Sequence, residues 1–188
     1  MRNWTRTGAF WFLLTSALAL LLVLSIGTLT PAVAAVTLTR ESQGQMLYQS
    51  QQTLRDQQGY SWEVVVSKHT GFASPPTISL QLAGPTDRVS VDHEQPLTLI
   101  PSHGNTLEAV SVPESLYIDR PLAPNINQYD LKPIVSELNG PLELSIAAEW
   151  PSAISTEDEK TVKLTIPALV IQEWQTVATC ADILCTGS

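Results

Sequence analysis

Three histidines, two cysteines and one run of acids are the side chains here whose types and spacing could do chemistry. Asp92-His93-Glu94 sets an imidazole between two carboxylates, the raw material of general acid–base catalysis. The spacing works against it. Consecutive side chains in an extended chain alternate faces, so Asp92 and Glu94 share a side that His93 does not. His103 falls in the turn-like Ser102-His103-Gly104-Asn105, and His69 ends a strand-like run at Thr70-Gly71, so both are expected in solvent. Glu157-Asp158-Glu159 gathers oxygens of the kind calcium takes, yet consecutive acids lack the alternate spacing and the sharp-turn glycine of an EF-hand loop. A solvated hairpin tip is the expectation. No G-x-S-x-G elbow, H-E-x-x-H helix, phosphate-cradling glycine loop or dinucleotide fingerprint occurs. The sequence therefore assigns no catalytic residue, no metal ligand and no cofactor, and the chain reads as a non-enzyme.

Cys180 and Cys185 lie five residues apart near the C-terminus. In a continuous helix their Cα atoms would be roughly 8.6 Å apart and point about 140° away from each other, beyond what a disulfide spans. A Cys180–Cys185 bridge thus requires the tail to turn, and the alternative is a frayed tail with two thiols. Two cysteines without a nearby histidine or third cysteine cannot fill a tetrahedral zinc site.

The first 35 residues decide where such a chain works. Arg2 and Arg6 give a basic start without acids, an apolar run extends from Ala9 to Gly27, and Thr30-Pro31-Ala32-Val33-Ala34-Ala35 supplies small residues. That order is the pattern of a secretory signal peptide, cleaved after Ala34 or Ala35. The rival is an uncleaved anchor, since about 19 apolar residues can span a bilayer. Pro31 favours cleavage, because it interrupts helix just before the small-residue site. No cysteine follows the apolar run to carry a lipid, and no arginine pair marks a twin-arginine signal. The chain carries 10 basic and 18 acidic residues, net −8. Losing Arg2 and Arg6 makes the mature part 8 against 18, or −10. Nucleic-acid binding, which depends on cationic contacts with phosphate, is disfavoured, whereas partners with basic surfaces are favoured.

The elements that must position any site are mostly strands. Met46-Leu47-Tyr48 through Leu54, the turn Asp56-Gln57-Gln58-Gly59 and Tyr60-Ser61-Trp62-Glu63-Val64-Val65-Val66 read as a hairpin, with Trp62 inward beside Val64 and Val66. Ile78, Leu80 and Leu82 alternate toward Ala83-Gly84-Pro85, and Val89 and Val91 extend that alternation. Leu97-Thr98-Leu99 and Leu107-Glu108-Ala109-Val110 flank a second hairpin turn. Leu142 to Ile146 and Val162 to Ile166 are further strands, and a strand resumes over Val170 to Trp174 after Pro167. One helix is expected, capped by Asp130, with Leu131, Ile134, Val135 and Leu138 on one face and Asn139-Gly140-Pro141 as its stop. Residues 113–128 fit no element. Pro113, Pro121 and Pro124 stiffen them, and Tyr117, Ile118 and Leu122 either lid the core or contact a protein partner. Trp62, Trp150 and Trp174 are expected in the core, with a ligand-lined barrel interior as the alternative.

The pattern predicts a mainly β domain, an antiparallel sandwich or barrel-like sheet with one short packed helix. The boundaries are a signal peptide over 1–35, one β-rich domain over 36–178 and a cysteine-bearing tail over 179–188. The strings Gly44-Gln45-Met46-Leu47-Tyr48-Gln49-Ser50 with Leu54-Arg55-Asp56, Trp62-Glu63-Val64-Val65, Asn127 to Pro133 and Val170-Ile171-Gln172-Glu173-Trp174 resemble a family of exported cyanobacterial proteins, with plastid relatives, of unknown function. The resemblance implies an address in the periplasm or thylakoid lumen and no reaction. The functional expectation is a non-enzymatic accessory domain that meets an unknown protein partner, for example a membrane complex. The alternative is a β-barrel-like carrier of a small hydrophobic molecule.

Overall fold

In the computed structural model, residues 36–40, 46–71, 75–112, 122–150 and 160–180 are described. Among these described residues, ten strands and one helix follow in chain order: β1 (Val36–Arg40), β2 (Met46–Arg55), β3 (Ser61–Thr70), β4 (Thr77–Ala83), β5 (Ser90–Val91), β6 (Leu97–Pro101), β7 (Leu107–Ala109), β8 (Ile126–Asp130), β9 (Leu142–Glu149), β10 (Thr161–Ile166) and α1 (Ala168–Thr179). Every pairing is antiparallel. One sheet runs β1-β2-β3-β4-β8, the other β10-β9-β6-β7, with β5 beside β9. The sheets touch at two corners, Asp56 against Leu164 and Ser111 against Tyr129. They do not close into a barrel.

Period-two alternation explains the layers. Trp62, Val64, Val66 and Lys68 of β3, Leu80 and Leu82 of β4, and Leu142, Leu144, Ile146 and Ala148 of β9 are all buried, while most of their neighbours in sequence are not. One face of each sheet therefore turns inward, and a single apolar cluster joins both. The helix lies against β1, β2 and β3, with Val170, Ile171, Trp174 and Val177 buried. The expected mainly β architecture with one short helix is observed.

The helix, however, is not where it was expected. Residues 132–137 form consecutive turns, with one four-residue bond from Val135 N–H to the Leu131 carbonyl (2.9 Å) and three-residue bonds from Ile134 to Leu131 (3.1 Å) and from Glu137 to Ile134 (2.9 Å). The Asp130 carboxylate does accept from the Lys132 N–H at 3.0 Å, and Leu131, Ile134, Val135 and Leu138 are buried as their spacing implied. The stretch is too short to recover the cost of helix nucleation, and Gly140 turns the chain at φ 67°. The segment from Val170 to Trp174, expected as strand, is instead the first half of α1. Pro167 at φ −64° opens it, where its missing N–H leaves no bond unmade. Ile126 to Gln128, expected outside any element, begins β8. Val89 and Val91 do not prolong β4; Ser90 and Val91 pair with β9.

Candidate functional site

The tip of the β2–β3 hairpin organises one end of the molecule. Asp56 is buried. One of its carboxylate oxygens accepts from the backbone N–H groups of Gln58 (3.0 Å) and Tyr60 (2.8 Å), and the other from the Trp62 indole N–H at 3.0 Å. A short acidic side chain at a turn satisfies the turn's own donors, and here it also satisfies one of the two tryptophans fully buried in the core. Gln57 works outward. Its amide donates to the Thr161 carbonyl (2.9 Å) and accepts from the Lys163 N–H (2.8 Å), so the hairpin tip caps the free edge of β10 as another strand would. Asp56→Ala is expected to cost about 2 kcal/mol, mostly for the orphaned indole N–H, since Gln58 and Tyr60 can turn to water. Urea melts measure it.

Tyr60 leaves this turn exposed at 36%. Its ring stacks on Trp150 with centroids 4.8 Å apart and planes tilted by 30°, and the Arg88 guanidinium lies 5.9 Å above the Tyr60 centroid. Trp150 is half-buried, and its indole N–H is buried without a partner. Two devices hold Arg88 in place. Asp87 takes φ 59° in the turn before it, and Gly84 lets that loop approach Trp62 closely. A Cβ on Gly84 would meet Val89 at 2.5 Å and the Trp62 ring at 2.8 Å. Beside the stack, β5 and β9 form a cleft of about 400 Å³ lined by Ser90, Asp92, Ala147, Glu149 and Lys160 among others.

A second set of polar groups fastens the helix. Lys68, buried on the inner face of β3, donates to the Ala178 carbonyl (2.6 Å) and the Cys180 carbonyl (2.7 Å) at the C-terminal end of α1. An ammonium there satisfies carbonyls that the helix leaves open and complements its dipole. Glu173 accepts from the Ser50 hydroxyl (3.0 Å) and the Gln52 amide (3.2 Å), tying the helix to β2.

A third set lies where the sheets meet at β8. The Ser111 hydroxyl bonds the His93 carbonyl (2.6 Å) and the Asn127 side-chain oxygen (3.2 Å). Tyr129 is fully buried, and its hydroxyl has no hydrogen-bond partner. Burial pushes this phenol up to about 12; the nearby Asn127 side chain offsets part of the shift and the Asp92 charge adds to it. The unfolded chain loses this proton near pH 10, so between 10 and 12 the folded state holds more protons. Its contribution to stability is complete below pH 10 and disappears as pH rises through about 12. Tyr129→Phe is therefore expected to flatten the alkaline limb of the stability profile. At pH 7 it should stay within about 1 kcal/mol of the parent or above it, because the hydroxyl makes no bond to lose.

The structure does not assemble the histidines into a site. His93 is half-buried, and the neighbouring Asp92 carboxylate accepts from the Glu94 N–H (2.9 Å) in a turn rather than a strand. His103 is exposed as its turn implied, while His69 is half-buried in β3. Among the described residues no cluster of three His, Cys, Asp or Glu side chains could hold a metal. Tyr117, Ile118, Cys185 and the Glu157-Asp158-Glu159 run lie outside the described residues. Leu122 is half-buried, and Cys180 is buried behind Lys68. Trp62 and Trp174 are fully buried in the core. The Tyr60–Trp150 contact and the Lys68 clasp went unrecognised in the sequence; the one signal for the latter is a lysine on the apolar face of Trp62, Val64 and Val66.

Strings that stand far apart in the sequence meet in this fold at Ser50 and Glu173, and Asp56 meets Trp62 across its own hairpin. A family-wide sequence profile for proteins of unknown function, DUF3122, matches residues 34–177. The chain belongs to the DUF3122 family. The family's span holds the whole stack, the cleft and both Glu173 contacts, and it ends before Cys180. No curated protein matches the chain, and neither does any solved structure. No helix among the described residues is long and apolar enough to cross a membrane.

Proposed function

We propose that this DUF3122 protein is an exported, non-enzymatic accessory domain that works outside the cytoplasm, in a periplasm or thylakoid lumen, by docking on a protein partner such as a membrane complex. The observation that carries the docking half is the Arg88–Tyr60–Trp150 stack. Trp, Tyr and Arg are the residues that dominate protein interfaces. Here the three are layered at one end of the domain and held by Asp56 and the tight loop at Gly84. Export is supported by the charge, apolar and small-residue order of residues 1–35 and by the resemblance to exported cyanobacterial proteins. The family profile also begins at residue 34, where cleavage is placed. The protein's acidity fits a basic partner.

Two measurements on protein from its native cells test this. Intact mass should show a chain starting at Ala35 or Val36, and a form retaining Met1 to Ala34 would make the domain membrane-anchored. Affinity purification should return one stoichiometric partner from the parent and lose it with Tyr60→Ser; recovery of nothing in stoichiometric amount contradicts the docking reading.

One observation favours the carrier alternative. The Tyr129 hydroxyl and the Trp174 indole N–H are buried without partners, and a small enclosed molecule could supply them. Native mass spectrometry separates the readings, since a carrier from its own host retains a small molecule.

A further inference from the structure

We infer that the Tyr60–Trp150 stack and the β5–β9 cleft form one binding site, and that its occupant is a basic peptide segment of a protein partner that presents a Lys or Arg beside an apolar or aromatic side chain. The inference rests on the docking reading above and adds the chemistry of the partner and the place where it sits.

Chain connectivity joins the two features. β5 and β9 pair through Ser90 with Glu149 and through Val91 with Ala148, and the cleft lies along that pair. Two residues before Ser90 the chain places Arg88 over Tyr60. One residue after Glu149 it places Trp150 against the same ring. Both walls of the cleft therefore run directly into the stack, so one extended segment of a few residues can reach both.

The charges in the cleft select the occupant. Asp92, Glu149 and Lys160 line it, and all three are exposed. None has an ion-pair partner among the described residues. Two carboxylates against one ammonium leave the cleft net negative on a chain of net charge −8, which draws a cationic side chain to the cleft, away from Arg88 at the stack, and repels an acidic one. Ser90 adds an exposed hydroxyl. The stack supplies the other half of recognition. Arg88 already covers part of the Tyr60 face, so an apolar or aromatic side chain meets the remaining edge of a pre-ordered surface, and little entropy is lost in forming it.

The probe is a fluorescein-labelled peptide, Gly-Trp-Lys-Gly-Lys-Gly, compared with a counterpart carrying Glu for both Lys and another carrying Ala for Trp. Binding to the full chain is read by anisotropy. The Lys peptide should bind about tenfold more tightly than either counterpart, which is the effect of losing one favourable contact of about 1.4 kcal/mol. Salt at about 0.5 M should weaken it. Glu149→Lys changes an exposed side chain and should keep the parent melting temperature, whereas Tyr60→Ser gives up the contact with Trp150 and should lower it by a few degrees while the domain stays folded at the assay temperature; each should lose about tenfold in affinity. Equal binding of the three peptides overturns the inference, as does binding unaffected by both substitutions. So does a neutral oligosaccharide that displaces the Lys peptide without regard to charge, since it identifies a sugar site. The docking reading fails separately: a stoichiometric partner lost with Tyr60→Ser but unaffected by Glu149→Lys keeps that reading and removes this inference.

Discussion

Trp62→Ala is expected to destabilise the domain by about 3 to 5 kcal/mol, the range of large-to-small changes for buried aromatics. Three observations put it toward the upper end. Trp62 is fully buried at the start of β3, beside the hairpin tip. Its indole N–H is the partner of the Asp56 carboxylate, which would lose a bond in a buried place. Its ring also fills the space that Gly84 leaves open, so the cavity would lie between the hairpin and the loop bearing Arg88 and could not collapse from one side alone. Loss of the Tyr60–Trp150 geometry should accompany the loss of stability, because the turn at Asp56 and the loop at Gly84 both lean on this ring. Equilibrium urea unfolding decides it. A midpoint shift worth less than about 1 kcal/mol would show that the indole is not the keystone of the hairpin end.

Lys68→Met is expected to cost about 2 to 4 kcal/mol, although a methionine of similar length refills the space. Two effects compete. Removing a buried ammonium also removes its desolvation penalty, which taken alone would stabilise. Against that, the Ala178 and Cys180 carbonyls lose the donor that satisfies them at 2.6 and 2.7 Å, and each buried carbonyl left open costs roughly 1 to 3 kcal/mol. The favourable charge at the helix C-terminus goes as well. The second effect wins because the two bonds are short and charge-assisted. Hydrogen exchange gives the specific signature: the amides in the last turn of α1 should exchange faster than the global stability change requires, while β9 and β10 follow the global change only. Unaltered melting with unaltered exchange in α1 would show that Lys68 merely fills space.

How far the fold was legible depends on how local its causes are. Period-two alternation is a property of neighbouring residues, so β2, β3, β4, β9 and β10 and both hairpin turns could be read directly. β1 alternates in the same way through Val36-Thr37-Leu38-Thr39, but it is five residues long and abuts the small-residue segment, so it went unassigned. The helix was misplaced because two segments compete for it. Asp130 to Leu138 has the cap and the period but too few residues, while Ala168 to Thr179 hides its helical spacing behind the β-branched pair Val170-Ile171. Its buried set of Val170, Ile171, Trp174 and Val177 follows the helical period, and Pro167 marks its start. The site was not legible at all. Tyr60 precedes β3 and Trp150 follows β9, strands of different sheets, and nothing in either local pattern says that they meet. Lys68 could have been flagged, since a lysine on the face of Trp62, Val64 and Val66 must find acceptors.

The central claim is that this protein recognises a protein partner through the end that carries Tyr60 and Trp150. A photo-reactive phenylalanine analogue at position 60, with a control at the exposed turn residue 103, tests it in cells that make the protein natively. The account predicts a discrete covalent adduct to one partner from position 60 and none from position 103. Adducts from neither position, or the same adducts from both, would contradict it.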